Sequence, residues 1–205
     1  ETIVIGLGLF TLGIAISMFL ATNNSLIVLG GLLFGGLLGE FLHLEDRINK
    51  LGERLETRFN GNSNPSSKST FVRGFVASSL LFCAGPMAIL GAIQDGLVGD
   101  YQLLAIKSVM DGFAAFAMAS TLGIGVIFSG PMVFLYQGTF SVLAGQLQGI
   151  MTPDMIAEMT ATGGLLLIAI SFSSLLEIKS IRVGNLLPSL VISPLIVYLL
   201  SLIHP

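Results

Sequence analysis

Between Arg73 and Lys179 the chain carries a single basic residue, Lys107, and this scarcity constrains the fold more than any motif does. A water-facing surface needs charge, and soluble domains average about a quarter charged residues. Here only 10% of the 205 residues are charged and 53% are hydrophobic, with a mean hydropathy of +0.90. Bilayer is the solvent that suits such a chain. The net charge of −3 is too small to imply a charged partner. With one cysteine, Cys83, there is no disulfide framework. The chain starts at Glu1, without methionine, directly in an apolar run and with no basic flank or cleavage site. An upstream piece is therefore expected, not a signal peptide.

Apolar runs of spanning length cover 2–21, 25–43, 71–94, 101–127, 130–149, 159–176 and 184–203. At a rise of about 1.5 Å per residue, roughly 20 residues cross a ~30 Å hydrocarbon core. The runs are continuously apolar, not alternating, which predicts helices and not a barrel. The expected fold is all-α: a polytopic transmembrane helix bundle of about seven spans, one domain over residues 1–205. Orientation follows from the basic residues. Arg47, Lys50, Arg54, Arg58, Lys68 and Arg73 fall in or beside one connection, and Lys179 and Arg182 in another. With seven spans both connections lie on one side, which the positive-inside rule makes cytoplasmic. Loops 44–70 and 177–183 are then cytoplasmic, with Glu1 inside and Pro205 outside.

Gly31, Gly35 and Gly39 share one face of the second span. Small residues at this spacing let another helix approach closely in lipid, either within the chain or in a homo-oligomer or membrane partner. Next comes an amphipathic cytoplasmic helix over 44–58, with Leu44, Ile48, Leu51 and Leu55 at helical spacing and an Asp46–Lys50 pair one turn apart. It lies at the interface, docks on the bundle or binds a partner. His43, at the membrane exit, reads as a solvated histidine. Residues 60–70 are polar and read as a flexible cytoplasmic linker.

Short echoes suggest an internal repeat. Gly85-Pro86-Met87 resembles Gly130-Pro131-Met132, Lys50-Leu51-Gly52 resembles Arg182-Val183-Gly184, and Leu44-Glu45 resembles Leu176-Glu177. In the predicted topology each pair points the same way, so any duplication is parallel. A Gly-Pro step inside a span removes a backbone hydrogen bond and disturbs the preceding turn. Pro86 therefore predicts a kink or broken helix, while Pro131 either kinks a span or starts a helix after a turn at Ser129-Gly130. Pro188 and Pro194 interrupt the last span. Broken helices free backbone groups at depth, and transporters hold substrates with such groups.

Lys107 and Asp111 stand one helical turn apart in an otherwise apolar run. Counted from Tyr101 at the outer surface, they lie about 9 Å and about 15 Å deep. Translocon scales charge about 2.5–3.5 kcal/mol for each such residue at a helix centre, so pairing or a wet cavity must offset the cost. The pair reads as a proton or ion relay, or else as a structural pin or an outward-snorkelling lysine. Gln94, Asp95, Gln137 and Asn185 are secondary candidates to bind a solute beside it.

Signatures of other chemistry are lacking. Gly6-Leu7-Gly8 misses the dinucleotide spacing, no nucleophile elbow or paired-histidine motif is present, and the histidines are His43 and His204. No cofactor, metal or catalytic set is expected. Beyond the positive-inside loop there is no basic patch for nucleic acid.

The stretch Phe82-Cys83-Ala84-Gly85-Pro86-Met87-Ala88-Ile89-Leu90-Gly91-Ala92-Ile93-Gln94-Asp95-Gly96 resembles the bacterial membrane family known as domain of unknown function 554. So do Lys107-Ser108-Val109-Met110-Asp111-Gly112-Phe113, Gly123-Ile124-Gly125-Val126, Leu135-Tyr136-Gln137-Gly138 and Gly184-Asn185-Leu186-Leu187-Pro188. The resemblance spans nearly the whole chain. It implies a polytopic protein of the bacterial inner membrane, in a family often labelled as transporters without an established substrate. Members usually carry one more amino-terminal span, which would give eight helices and a parallel four-plus-four arrangement. Two functions follow as expectations: a transporter or channel for a small solute or ion, or a non-transporting membrane subunit that binds partner proteins.

Overall fold

The computed structural model describes residues 2–59, 65–83, 86–148, 151–176 and 178–203. Ten α-helices connect them: α1 Thr2–Phe19, α2 Ser25–Leu42, α3 Leu44–Phe59, α4 Pro65–Cys83, α5 Pro86–Val98, α6 Gln102–Leu122, α7 Ser129–Val142, α8 Ala144–Gln148, α9 Pro153–Ile170 and α10 Ser189–Ile203. A 3-10 segment, Gly123–Phe128, joins α6 to α7. A π-turn, Ser171–Leu175, extends α9, and a second 3-10 segment, Val183–Leu186, precedes α10. No strand occurs among the described residues, as the continuous apolar runs predicted.

Two groups of helices emerge. In the first, α1 runs antiparallel to α9 and α2 antiparallel to α10. Gly8 meets Leu175 and Leu176, and Gly164 meets Ala15 and Phe19. Along the other pair, Gly31, Gly35 and Gly39 meet Ser193, Ser189 and Asn185 in order. Along α2 and α10 each partner is small or approaches through its backbone, so the axes come close and dispersion contacts accumulate. The glycine stripe is thus filled from within the chain. It is not free to face an oligomeric or membrane partner, because all three glycines are buried against the α10 region. Thr162 on α9 adds a 2.7 Å hydroxyl–hydroxyl hydrogen bond to Ser193.

The second group is α4 to α8. α4 and α5 are bent by 60° at a break over 84–85, which includes Gly85 and lies outside the described residues. Pro86 opens α5, where its missing N–H breaks no intrahelical bond. Residues 102–142 form one apolar stretch of 41 residues, and a straight helix that long would run about 60 Å, twice a ~30 Å core. Instead it folds back. Leu104 near its start packs on Gly91 and Ser141 near its end on Gly96, both on α5, while Leu122 meets Gly74 and Gly125 meets Phe71 on α4. The reversal is made at Gly123, whose φ of +71° favours glycine, and not at Ser129-Gly130 as expected. Pro131 sits in the first turn of α7, so both Gly-Pro-Met steps belong to helix starts.

Four described stretches are long and apolar enough to cross a membrane, or five counting the bent α4–α5 pair. The expected count of about seven is not reached by that measure. By that measure α1, counted over Gly8–Phe19, stays below spanning length, and 102–142 counts once although it folds back.

Three local expectations change. Residues 60–64 of the proposed linker lie outside the described residues, but 65–70 are helical, because Pro65 opens α4 and the apolar face that follows docks it. His43 is exposed but closes α2 in the left-handed region, φ 50°, with its N–H donating to the Glu40 and Gly39 carbonyls. The α3 helix is docked on α4, Gly52 against Phe75 and Val72. It forms no Asp46–Lys50 ion pair, and Leu51 is exposed. Of the suggested repeat, Lys50-Leu51-Gly52 is α-helical whereas Arg182-Val183-Gly184 enters a 3-10 segment, and Glu177 lies outside the described residues.

Candidate functional site

Lys107 and Asp111 are paired on α6, Lys107 Nζ donating to Asp111 Oδ2. The i, i+4 spacing places both on the face that Leu104 packs against α5, while Val109, Phe113 and Phe116 point outward. Lys107 is therefore 6% exposed and points into protein, so it does not snorkel to the surface. Cys83, the last residue of α4 before the break, lies within electrostatic reach of both charges. Tyr136 on α7 lies within reach of Cys83.

The other sequence candidates scatter. Asp95 is half-buried and accepts a 3.1 Å hydrogen bond from Ser141 Oγ, which ties α5 to α7. Gln94 and Pro131 are exposed, and Gln137 is half-buried. Asn185 belongs to a separate cluster where α2, α3 and the second 3-10 segment meet. Its Oδ1 accepts the Glu45 N–H at 2.8 Å and its Nδ2 donates to Glu40 Oε2. Arg182 Nη1 donates to Glu40 Oε1 at 3.3 Å, and the Gly184 N–H donates to Glu45 Oε2 at 2.6 Å. Both ends of the Asn185 amide are thus taken up by protein. Burial raises the pKa of Glu45, partly offset by the Gly184 N–H and the Arg182 charge.

Sequence reasoning missed two buried acids. Glu158 on α9 is 1% exposed and accepts from Thr22 Oγ1 (2.6 Å) and the N–H groups of Asn23 and Asn24 (2.8 Å each). Those three donors hold the α1–α2 turn against α9. Glu56 on α3 is also 1% exposed, and its Oε1 has no hydrogen-bond partner. An acid at the edge of an apolar run, facing a turn rich in Asn and Thr, was the available signal for Glu158. Glu56 looked like part of a solvated face and carried none.

Two cavities complete the site. One, of about 890 Å³, lies between α3, α4 and the α9–α10 connection. The other, of about 570 Å³, lies between the two helix groups and is lined by Ser79, Cys83, Tyr136, Met155, Met159 and Pro194, among others. Lys107 and Asp111 line neither. Helix α4 lines both: Val72, Arg73 and Val76 face the first, and Ser79, Leu80 and Cys83 the second. That three-to-four-residue spacing is one helical face leading from the first cavity to the Gly-Pro break. Among the described residues no group of three or more His, Cys, Asp or Glu is placed to hold a metal ion.

A family model described as protein of unknown function (DUF554) matches residues 1–198. The chain is 36% identical over 169 residues to the uncharacterized membrane protein YdfK of Bacillus subtilis (strain 168), covering 82% of this chain and 69% of that protein. It is 33% identical over 186 residues to the uncharacterized protein YqgA of Escherichia coli (strain K12), covering 91% and 79%. No solved structure matches.

Proposed function

The chain belongs to the DUF554 family, and from that premise we propose that it is a multi-pass inner-membrane carrier for a small solute, with its path between the two helix groups. One observation carries this reading: the single face of α4 that lines both cavities and ends at the Gly-Pro break. The 570 Å³ cavity between the helix groups is mostly apolar with a few polar groups, Ser79, Cys83 and the two tyrosines 136 and 198, the usual make-up of a small-molecule site. A break at Pro86 beside it offers backbone groups at depth. The Lys107–Asp111 pair supplies charge next to Cys83 and biases the bend, while Asp95, with Gln94 and Gln137 nearby on α5 and α7, belongs to the outer end. Asn185 closes the inner end through Glu40 and Glu45. Loops 44–70 and 177–183 are cytoplasmic in this reading, and no residue is assigned a catalytic role.

A non-transporting subunit is the second reading, favoured by the failure of either cavity to reach Asp111. Against it, the glycine stripe and one face of α3 are already occupied within the chain.

Cys83, the sole cysteine, makes the test direct. A membrane-impermeant maleimide is applied to right-side-out and inverted vesicles, and solute flux is measured in proteoliposomes before and after modification. The carrier reading expects labelling from at least one side and loss of flux on labelling. No labelling from either side, with no solute moving faster than in protein-free liposomes, would sink it. Full flux in both Asp111→Asn and Lys107→Met would remove the pair from the mechanism.

A further inference from the structure

We propose that the 890 Å³ cavity beneath α3 binds a linear organic polycation, with Glu56 as its innermost anchor. At 100° per residue α3 presents three stripes. Leu44, Ile48, Leu51 and Leu55 form the apolar one. Arg47, Lys50, Arg54 and Arg58 form a basic stripe that is fully on the exposed side. Asp46, Asn49, Glu53 and Glu56 form the third, and all four line the cavity.

Glu56 supplies the observation that turns this acidic face into a site. It is 1% exposed, faces the cavity, and leaves Oε1 without a donor. A buried carboxylate in that state is costly, and an ammonium entering the cavity provides both the missing hydrogen bond and the countercharge. Among the described residues no lysine or arginine forms an ion pair with Glu56, although Arg73 and Arg182 also line the cavity. Arg182 is committed to Glu40, Arg73 is engaged as well, and Asp46 makes no ion pair with Lys50.

The spacing selects the ligand class. Along the helix axis Glu53 lies about 10 Å and Glu56 about 15 Å from Asp46, from the 1.5 Å rise. Carboxylates that far apart suit ammonium groups strung along a chain rather than one compact ion. Consistent with that, no three acidic side chains converge as a metal site would require among the described residues. Ser173 and Ser174 on the facing π-turn offer hydroxyl acceptors for further N–H groups. The inference stands apart from the transport reading, since it rests on α3 and not on the inner cavity.

The test uses the purified full chain in detergent with spermidine as probe. Thermal unfolding and titration calorimetry are run at constant ionic strength, with NaCl, MgCl2 and propylamine as comparisons. Saturable stabilisation by spermidine is expected, stronger than by the other three. Glu56→Gln should weaken binding about tenfold, roughly one charge-assisted contact, and Glu53→Gln less. Arg54→Gln, on the opposite stripe, should leave it unchanged. If Glu56→Gln does not yield folded protein, the Asp46→Asn/Glu53→Gln double variant carries the test, with the same loss expected. The proposal is overturned if spermidine acts no better than sodium at matched ionic strength, if Mg2+ binds more tightly, or if the acidic-stripe variants bind spermidine like the parent.

Discussion

The two helix groups meet the same solvent with opposite designs. In α1, α2, α9 and α10, close antiparallel pairs are zipped largely by small residues, and the buried acid at the α1–α2 turn, Glu158, accepts three donors. In α4 to α7, α4 and α5 meet at a 60° bend, a 3-10 segment joins α6 to α7, and a paired lysine and aspartate sit in an otherwise apolar stretch. Continuous helices satisfy their backbone internally and need only shape to associate in lipid. Broken ones free backbone groups and need charge or cavities to make use of them. In the carrier reading the contrast separates a scaffold from a working half, and each of its terms can be broken by experiment.

The largest effect is expected at the zipper. A side chain at Gly35 would overlap the Ser189 backbone, so Gly35→Leu should cost about 3 kcal/mol or prevent folding. Gly138→Ala in α7 points into open space and should be neutral or stabilising by up to about 1 kcal/mol. Yield and thermal unfolding in detergent compare the two; equal losses would mean that the close approach at Gly35 is not what sets its cost.

Glu158→Ala comes next. It strands Thr22 Oγ1 and two backbone N–H groups and should destabilise by about 2–3 kcal/mol, with Glu158→Gln recovering part. The Lys107–Asp111 pair calls for a cycle. Lys107→Met alone should cost about 2 kcal/mol by leaving a carboxylate unpaired, and Lys107→Met/Asp111→Asn should regain most of it. If the double variant is as unstable as the single one, the pair is not the coupled unit described.

The smallest effect concerns Glu45. Its folded pKa lies above the ordinary value of 4.5, so between the two values the folded state holds the proton more tightly. Stability from this group is full below 4.5 and falls as pH rises through the raised folded value. Glu45→Gln should flatten that fall while keeping the Gly184 contact, as read from unfolding temperatures across the acidic range. A parallel pH profile in the variant would remove Glu45 as the cause.

Legibility in the sequence followed the range of the interaction. The Lys107–Asp111 pair was readable because i, i+4 neighbours meet in any helix. The α2 glycine stripe was readable as a packing surface, but its partner, about 150 residues away, was not. Glu56 shows the limit more sharply. Hydrophobic periodicity placed it on a polar face, yet α3 docks through Gly52, and that rotation carries Glu56 inside and leaves Leu51 outside.

By itself the sequence determined an all-helical membrane chain, the periodicity of its helices and the order of its charges along them. Those follow from hydropathy and the 3.6-residue period, which are local properties of the backbone in lipid. Only the tertiary structure decided that residues 102–142 fold back at Gly123, that the glycines are filled by α10, and that a face of α4 joins two cavities. Each depends on which distant helix arrives at a given face, and no local pattern encodes that.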